Sequence, residues 1–537
     1  MFTSVPRRHS LATVVLLTAL TFLIFYPTLP GEFLRWDDRQ NIPFNPWLQH
    51  LAWQKIWSEP YYGLYIPVTY SVWSLMNQIT SSAWVFHTGN ILLHSANAGL
   101  VHRLARRLTQ QESLAMWSAL LFAAHPVQVE AVAWISGGRD LLAAFFALSS
   151  TLALLSTPAA FLPLATLLFV LGLLSKPTIA ALPLALMIFL RQRREFSSRP
   201  RQVTLGIWCT LALALSIWTY WIQSESVALR LQPPDWAERV IVAGDTLGFY
   251  LAKILWPAFL CADYGRTPEM VLHSRLFVPT LLVLAGIVTA VWWRSRRKEP
   301  GTEFLVVSFL LLLPLLGLIP FQAQADSTVA DRYLYLPMTG VALFLALRLQ
   351  SLPWIACLVV GLLGALSFAR SEVWSRNARF FAELYAQNPH SYLATTSLGV
   401  EALFRGDLDE AESLLLKARR LRPADAVAVA NLAQVYWSKG QFTRILSELA
   451  PLLNDSEFSK RNRESTRALS ALHRQVARAQ WKTGLWEEAN SSYCRYHALD
   501  PENDEGHKEI QEFLRAKFQA GFHAPSCLSL PADGHYE

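Results

Sequence analysis

Residues 139–190 read RDLLAAFFALSSTLALLSTPAAFLPLATLLFVLGLLSKPTIAALPLALMIFL, a stretch with only three charged side chains. The hydrocarbon core of a bilayer is crossed by about 20 apolar helical residues. We therefore predict three successive spans here, at 139–156, 161–175 and 177–190. Charged residues make up only 16% of the 537-residue chain, against about 25% in soluble domains. This deficit indicates a membrane protein.

The same apolar pattern recurs from residue 10 to residue 370. We predict an all-α fold, a polytopic membrane helical bundle of about eleven spans followed by a soluble helical domain. The first apolar segment lacks a small-residue cleavage site, so we interpret it as an uncleaved membrane helix and not as a signal peptide. The predicted spans are 11–29, 84–104, 113–125, 139–156, 161–175, 177–190, 203–222, 276–293, 304–321, 334–349 and 352–370.

One further apolar stretch, 240–260, contains Asp245 and Lys253 and ends in Trp256-Pro257. We expect it to be re-entrant with irregular backbone, or to lie along the surface. With the N-terminus in the cytoplasm, eleven spans leave the arginine-rich short loops inside, as the positive-inside rule requires. The C-terminal domain and the first long loop, 31–83, then lie on the external face.

The C-terminal region contains a repeat of 34 residues. This spacing separates Pro389 from Pro423 and Gly406 from Gly440, and it is the period of tetratricopeptide (TPR) repeats. The unit that begins near Leu432 departs from the pattern after its glycine. We predict a membrane domain at 1–370, a TPR α-solenoid at 371–522 that offers a groove to a polypeptide, and a disordered tail at 523–537.

Two other classes of protein are disfavoured. The five cysteines are far apart and include no CxxC pair, which argues against a disulfide framework and a structural zinc site. The basic residues occur in short runs beside apolar segments, where they set topology. We therefore expect a lipid bilayer and no nucleic acid as the surroundings of this chain.

The first candidate site is Trp36-Asp37-Asp38-Arg39, a few residues after the first span. Adjacent carboxylates at a membrane surface can act as a general base or bind a cation. An ordinary solvated turn or a helix cap is the structural alternative.

The second candidate is His125-Pro126 with Glu130 and Trp134, followed by Arg139-Asp140, at the external end of a span. Ionisable groups at membrane depth are costly and suggest function by default. A Glu130–Arg139 pair that only braces two helices is the alternative. The third candidate is a pair of cations, Lys176 and Arg332, the latter followed by Tyr333. Such cations can bind a phosphate at the outer surface, or they can reach towards lipid headgroups.

Four polar residues follow one face of the span at 84–104, namely His87, Asn90, His94 and Asn97. Hydrogen bonds between helices explain this stripe better than a metal site does.

Taken together, the chain resembles the transmembrane and TPR-repeat-containing O-mannosyltransferases and their bacterial relatives, members of the GT-C superfamily of lipid-donor glycosyltransferases. The resemblance runs nearly end to end, although the family pattern leads us to expect a basic residue in place of Gly138. The matching blocks are WDDRQNI at 36–42, HTGNILLHSANAGLVHRLARRL at 87–108, HPVQVEAVAWISGGRD at 125–140, GLLSKP at 172–177 and ADRYLYLP at 330–337.

The resemblance implies a polyprenyl- or dolichyl-phosphate donor whose sugar is mannose, and an external Ser/Thr hydroxyl acceptor. It implies that either Asp37 or Asp38 is the base of an inverting transfer, and it leaves open which one. In this hypothesis Lys176 and Arg332 bind the donor phosphate. No cofactor is required, and a divalent cation held by the two aspartates is the alternative. Supporting or orienting roles fall to Arg39, His125, Glu130, Arg139 and Tyr333.

Other functions remain open at this point. The chain is alternatively a non-catalytic membrane-anchored TPR scaffold, or a transferase whose acceptor is a lipid or a glycan. A transporter is disfavoured because we see no inverted repeats. We expect the bacterial inner membrane, and the endoplasmic reticulum membrane as the second choice.

Overall fold

The computed structural model describes residues 7–156, 159–196, 198–230, 234–274, 277–297, 299–462, 465–501 and 503–521. The predicted tail, 523–537, lies outside these residues. In the described residues all regular structure is helical, apart from one isolated β-bridge between Tyr61 and Leu64. This confirms the all-α prediction. The chain forms two compact units, Met1–Asn388 and Pro389–Glu537.

The first unit is a helical bundle with several short turns of 3-10 helix. Its helices are α1 (Arg7–Phe25), α2 (Asp38–Asn41), α3 (Pro46–Gln49), α4 (Trp53–Ser58), α5 (Pro67–Ile79), α6 (Ala83–Thr109), α7 (Glu112–Ala124), α8 (Val129–Ala133), α9 (Gly138–Leu155), α10 (Leu162–Ser175), α11 (Leu182–Gln192), α12 (Arg199–Arg230), α13 (Trp236–Leu255), α14 (Pro268–His273), α15 (Phe277–Arg296), α16 (Thr302–Leu312), α17 (Met338–Leu349), α18 (Pro353–Val373) and α19 (Asn377–Gln387).

Four stretches in the described residues are long and apolar enough to cross a membrane. They are Leu11–Thr28, Ile135–Leu155, Arg199–Ser224 and Pro353–Val373. Shorter apolar helices of 10–17 residues account for most of the other predicted spans, so the total of eleven stays a prediction. Most of the stretch at 240–260 belongs to one helix, α13, and its backbone is irregular only at 256–260. Whether it is re-entrant or lies along the surface stays a prediction.

The polar stripe of α6 ties this helix to its neighbours. The side-chain amide of Asn90 donates to the carbonyl of Trp134 at 2.9 Å. Asn97 donates to the hydroxyl of Tyr335 at 3.0 Å, and the Nδ1 atom of His94 lies 2.8 Å from the same hydroxyl. Buried polar groups must find such partners. The prediction of interhelical hydrogen bonds is confirmed.

The helix α19 belongs to the first unit and not to the repeats. Its Asn377 side chain accepts a hydrogen bond from the Arg35 amide at 2.7 Å and donates to the Glu32 carboxylate at 2.7 Å. The Phe380 ring lies 6.2 Å from the ring of Trp36. These contacts hold α19 against the loop that follows α1, and the compact unit extends beyond residue 370 for this reason.

The second unit consists of helix pairs. Left-handed glycines, which carry no penalty for positive φ, separate the first and second helices of three pairs: Gly406 (φ +81°), Gly440 (φ +70°) and Gly484 (φ +78°). The described helices are α20 (Tyr392–Arg405), α21 (Leu408–Leu421), α22 (Ala426–Ser438), α23 (Phe442–Arg444), α24 (Ser456–Arg461), α25 (Thr466–Lys482), α26 (Trp486–Leu499) and α27 (Asp504–Gln519).

Close packing within the first pair depends on a small residue. A Cβ atom added to Gly399 would lie 2.8 Å from the Leu415 side chain of the facing helix. The middle pair is irregular, since α23 passes into a π-helical turn at Ile445–Leu449, in the unit whose sequence departs from the repeat. These helix pairs agree with a 34-residue period, and their assignment as a TPR solenoid stays a prediction.

Candidate active site

Asp38 is completely buried and fixes the loop after α1. Its Oδ1 accepts hydrogen bonds from the Ser136 amide at 2.9 Å and the Ser136 hydroxyl at 2.7 Å. Its Oδ2 accepts from the Leu34 amide at 3.0 Å. Burial raises the pKa of the Asp38 carboxyl to about 7, although all three donors lower it. Asp38 therefore anchors the loop to the turn at Ile135–Gly137.

Asp37 is the accessible member of the pair. Its side chain is 40% exposed, and its Oδ2 lies 3.4 Å from a guanidinium nitrogen of Arg139. Asp37 precedes α2, yet its side chain makes no capping hydrogen bond to that helix. The helix-cap alternative is therefore wrong for Asp37. A weak, half-exposed ion pair leaves this carboxylate available to a substrate.

Two tryptophans form a wall beside these carboxylates. The rings of Trp36 and Trp134 are stacked, with centroids 4.7 Å apart and planes inclined by 13°. The guanidinium carbon of Arg332 lies 5.5 Å from the Trp36 ring and 5.3 Å from the Trp134 ring, and that of Arg139 lies 5.0 Å from Trp134. Cation–π contacts hold both guanidinium groups beside this wall, and Arg139 also reaches Asp37.

Arg332 is bound by Glu130 and does not reach towards lipid headgroups. The Arg332 amide donates to the Glu130 Oε2 at 3.0 Å, and its guanidinium forms an ion pair with Oε1. Both side chains are buried. The expected Glu130–Arg139 brace is not formed, because Glu130 binds Arg332 and Arg139 reaches Asp37 instead. A buried guanidinium paired in this way cannot move freely.

Lys176 forms the third charged pair of the site. Its ammonium lies 2.6 Å from the Asp140 Oδ1 and 5.8 Å from the Tyr333 ring. Its partner Asp140 also lines a small recess. Asp140, Arg332 and Tyr333 form its polar side, and its other walls are mostly apolar, including Leu311 and Leu315.

The glycines before Arg139 are required by close packing. A Cβ atom on Gly137 would lie 2.3 Å from the Ala131 carbonyl oxygen, and one on Gly138 would lie 2.7 Å from the Asn90 side chain. A side chain at position 138 would have to displace the Asn90 amide. Arg139 supplies the positive charge one position later.

Two predicted residues are placed apart from this cluster. Both ring nitrogens of His125 are used by backbone groups, since Nε2 lies 3.1 Å from the Ile254 carbonyl and Nδ1 accepts from the Val127 amide at 3.4 Å. Its contacts are those of a turn cap. Arg39 is exposed on α2. The structure thus brings together Asp37, Glu130, Arg139, Lys176, Arg332 and Tyr333.

A metal bridged by both aspartates does not fit these contacts. Both oxygens of Asp38 already accept hydrogen bonds from Leu34 and Ser136. In the described part of the chain, no group of three or more His, Cys, Asp or Glu side chains has the arrangement of a metal site. We derive no step through a cation.

No role was predicted from the sequence for four residues of the site: Trp36, Trp134, Ser136 and Asp140. Each tryptophan belongs to one of the quoted motifs, but the motifs do not show that two residues 98 positions apart stack on each other. Asp140 follows Arg139 directly, and only the fold shows that it meets Lys176. Ser136 was missed for the same reason.

Several proteins of known name are similar to this chain in sequence. A Caenorhabditis elegans protein named protein O-mannosyl-transferase F38B6.6 is 22% identical over 454 residues, which cover 78% of this chain and 64% of the relative. The Drosophila melanogaster protein O-mannosyl-transferase Tmtc1 is 25% identical over 77% of the chain and 62% of its own length. The chain is similar to protein O-mannosyl-transferases.

The similarity covers only part of the length of these O-mannosyl-transferases. The mouse protein O-mannosyl-transferase TMTC2 is 30% identical over 147 residues, which are 25% of the chain and 18% of the relative. The chain therefore spans less than two thirds of the length of these relatives. No family model matches it. The relatives and the four long apolar helices together indicate a membrane protein.

Proposed function

We propose that this chain is a membrane glycosyltransferase of the GT-C type. It transfers a sugar, mannose by similarity to the O-mannosyl-transferases, from a polyprenyl or dolichyl phosphate to a Ser/Thr hydroxyl of a protein. The transfer takes place on the external face of a bacterial inner membrane or of the endoplasmic reticulum membrane. The observation that carries the proposal is the exposed Asp37 carboxylate, beside an arginine and a tryptophan wall, next to a buried and saturated Asp38.

Asp37 is the general base in this proposal. The acceptor hydroxyl displaces Arg139 from the Asp37 carboxylate, which is held only by a 3.4 Å contact. As the hydroxyl oxygen attacks the anomeric carbon, its proton passes to Asp37. The bond from that carbon to the phosphate oxygen breaks on the opposite face, so the configuration inverts. The lipid phosphate leaves with the bonding electron pair and needs no general acid.

The leaving phosphate gains negative charge, which Arg332 and Lys176 stabilise in this proposal. Each cation is already paired, Arg332 with Glu130 and Lys176 with Asp140, so both are held in place before the substrate arrives. An ammonium has three donors and a guanidinium has five, which leaves hydrogen bonds for phosphate oxygens.

In this proposal the second unit binds the acceptor polypeptide. Solenoids of helix pairs bind extended polypeptides along a groove. A tethered groove raises the local concentration of an acceptor segment near the membrane. A non-catalytic scaffold, and a transferase with a lipid or glycan acceptor, predict different results in a mannose-transfer assay.

The test is the transfer of labelled mannose from polyprenyl-phosphate-mannose into protein, with purified wild-type and variant enzyme. We expect Asp37→Asn to lower the rate by about 10²–10⁴-fold, the usual contribution of a general base, with normal folding. Glu59→Gln removes an exposed carboxylate from the same loop and is the matched control with no loss.

Asp38→Asn separates the two aspartates. It removes a buried acceptor, so we expect less folded protein but a higher rate per folded molecule than in Asp37→Asn. The reverse order would overturn the assignment of Asp37. Equal transfer by all variants and by empty membranes would favour the scaffold. Label found only in lipid or glycan would overturn the protein acceptor.

A further inference from the structure

The end of α13 and the turn that follows it expose three large apolar side chains close together in the chain. Leu255 is 68% exposed, Trp256 73% and Phe259 80%. We propose that these three side chains, here called the apolar finger, insert into the interface of the bilayer leaflet on the side of the candidate active site. The finger would contact lipid through a loop and not through a spanning helix.

Hydrogen bonds hold the backbone of the finger in a defined conformation. The ammonium of Lys253 donates hydrogen bonds to the carbonyls of Ala258 at 2.8 Å and Phe259 at 2.9 Å. Phe259 has φ +53°, in the left-handed region that a bulky residue rarely adopts. Such conformations persist where the surroundings hold them, and they concentrate at functional positions. Here Lys253 holds the backbone while the phenyl ring points outwards.

Two contacts connect the finger to neighbouring helices, one of them at the end of the predicted span α7. On one side, the Ile254 carbonyl lies 3.1 Å from the His125 Nε2, immediately after the end of α7. On the other side, the Leu260 carbonyl accepts a hydrogen bond from Gln387 at 3.3 Å. Gln387 ends α19, which follows the candidate span Pro353–Val373 after a short turn.

The chemistry of the finger fits a lipid interface. Tryptophan is enriched where hydrocarbon meets headgroups, since its ring is apolar and its N–H is polar. Phenylalanine and leucine gain from entering the acyl boundary. The finger is also close to Asp331 and Arg332, because Tyr264 in the same loop donates to Asp331 at 2.8 Å. The proposal depends on membrane embedding and is independent of the catalytic proposal.

Photo-crosslinking tests the finger without requiring activity. The full chain, with p-benzoylphenylalanine in place of Phe259, is reconstituted into phosphatidylethanolamine/phosphatidylglycerol vesicles, irradiated and examined by mass spectrometry. Leu358 lies on the candidate span Pro353–Val373 and is 65% exposed, which makes it the positive control. Phe404 in the second unit is 76% exposed and is the negative control.

We expect phospholipid adducts at positions 259 and 358 and at least tenfold fewer at 404. If position 259 disturbs folding, the same residue is placed at Trp256, with the same expectation. Adducts at 358 without adducts at 259 or 256 would overturn the proposal. A polypeptide adduct at these positions in place of lipid would overturn it as well, and would assign the finger to a protein partner.

Discussion

Ser136 donates two hydrogen bonds to the same oxygen of Asp38, one from its amide at 2.9 Å and one from its hydroxyl at 2.7 Å. The two residues are 98 positions apart, and neither side chain is exposed. This pair fixes the distance between the loop after α1 and the turn before α9. Asp37 is placed beside Arg139 as a consequence.

Ser136→Ala should lower the stability of the first unit. It leaves a buried carboxylate with one donor fewer, and hydrogen bonds to such groups contribute about 1.5–3 kcal/mol. Thermal unfolding of the purified protein in detergent measures the change. The matched control is Ser118→Ala, whose hydroxyl bonds only the Leu114 carbonyl of its own helix. Equal losses in both variants would contradict the anchoring role of Ser136.

The Asp38 pair should also make stability depend on pH. Burial raises the pKa of Asp38 from 3.8 to about 7, so the folded state binds its proton more tightly than the unfolded state. Its stabilising contribution is complete below about pH 4 and is lost as the pH rises towards 7. In the wild type, the unfolding temperature should therefore fall as the pH rises from 4 to 7. We expect this fall to be smaller in Asp38→Asn, whose side chain does not titrate. Parallel pH profiles for variant and wild type would exclude it.

Asn377 should act as a positioning residue for the loop of Asp37. It bonds the Arg35 amide, the Glu32 carboxylate and, at 3.2 Å, the Phe33 carbonyl. We expect Asn377→Ala to speed amide hydrogen exchange in residues 32–38 and to lower kcat more than it raises KM for the donor.

The matched control for that prediction is Asn431→Ala in the second unit. Its side chain bonds only the Val427 carbonyl within α22, so exchange at 32–38 should not change. Unchanged exchange in Asn377→Ala would show that the loop holds its shape without α19.

Arg332→Lys keeps the positive charge but removes the planar fork. The side chain of Arg332 meets Glu130 and lies 4.9 Å from the Tyr333 ring, an arrangement that a lysine cannot reproduce. We expect kcat/KM for the lipid-phosphate donor to fall by about 10–100-fold, measured with labelled donor. Arg348→Lys changes an exposed arginine of α17 and should have no effect. A wild-type value for Arg332→Lys would remove Arg332 from the donor site.

Much of the fold and part of the site could be predicted from local sequence. The polar stripe of α6 has helical spacing, so its role in helix contacts followed from periodicity. The motifs around Asp37, Glu130 and Arg332 marked the right regions. The pairing of Arg139 with Asp37, and not with Glu130, could not be predicted, because both acids are compatible with the spacing.

By itself, the sequence determined the helical class, the apolar segments, the 34-residue period and the candidate acids and cations. These features depend on composition and on the spacing of neighbouring residues. The tertiary structure alone decided which aspartate is open. Asp37 and Asp38 are the same residue type in adjacent positions, and their difference arises from donors on Leu34 and Ser136 that surround one carboxylate and not the other. Burial and hydrogen bonding between distant segments are properties of packing, so local sequence does not determine them.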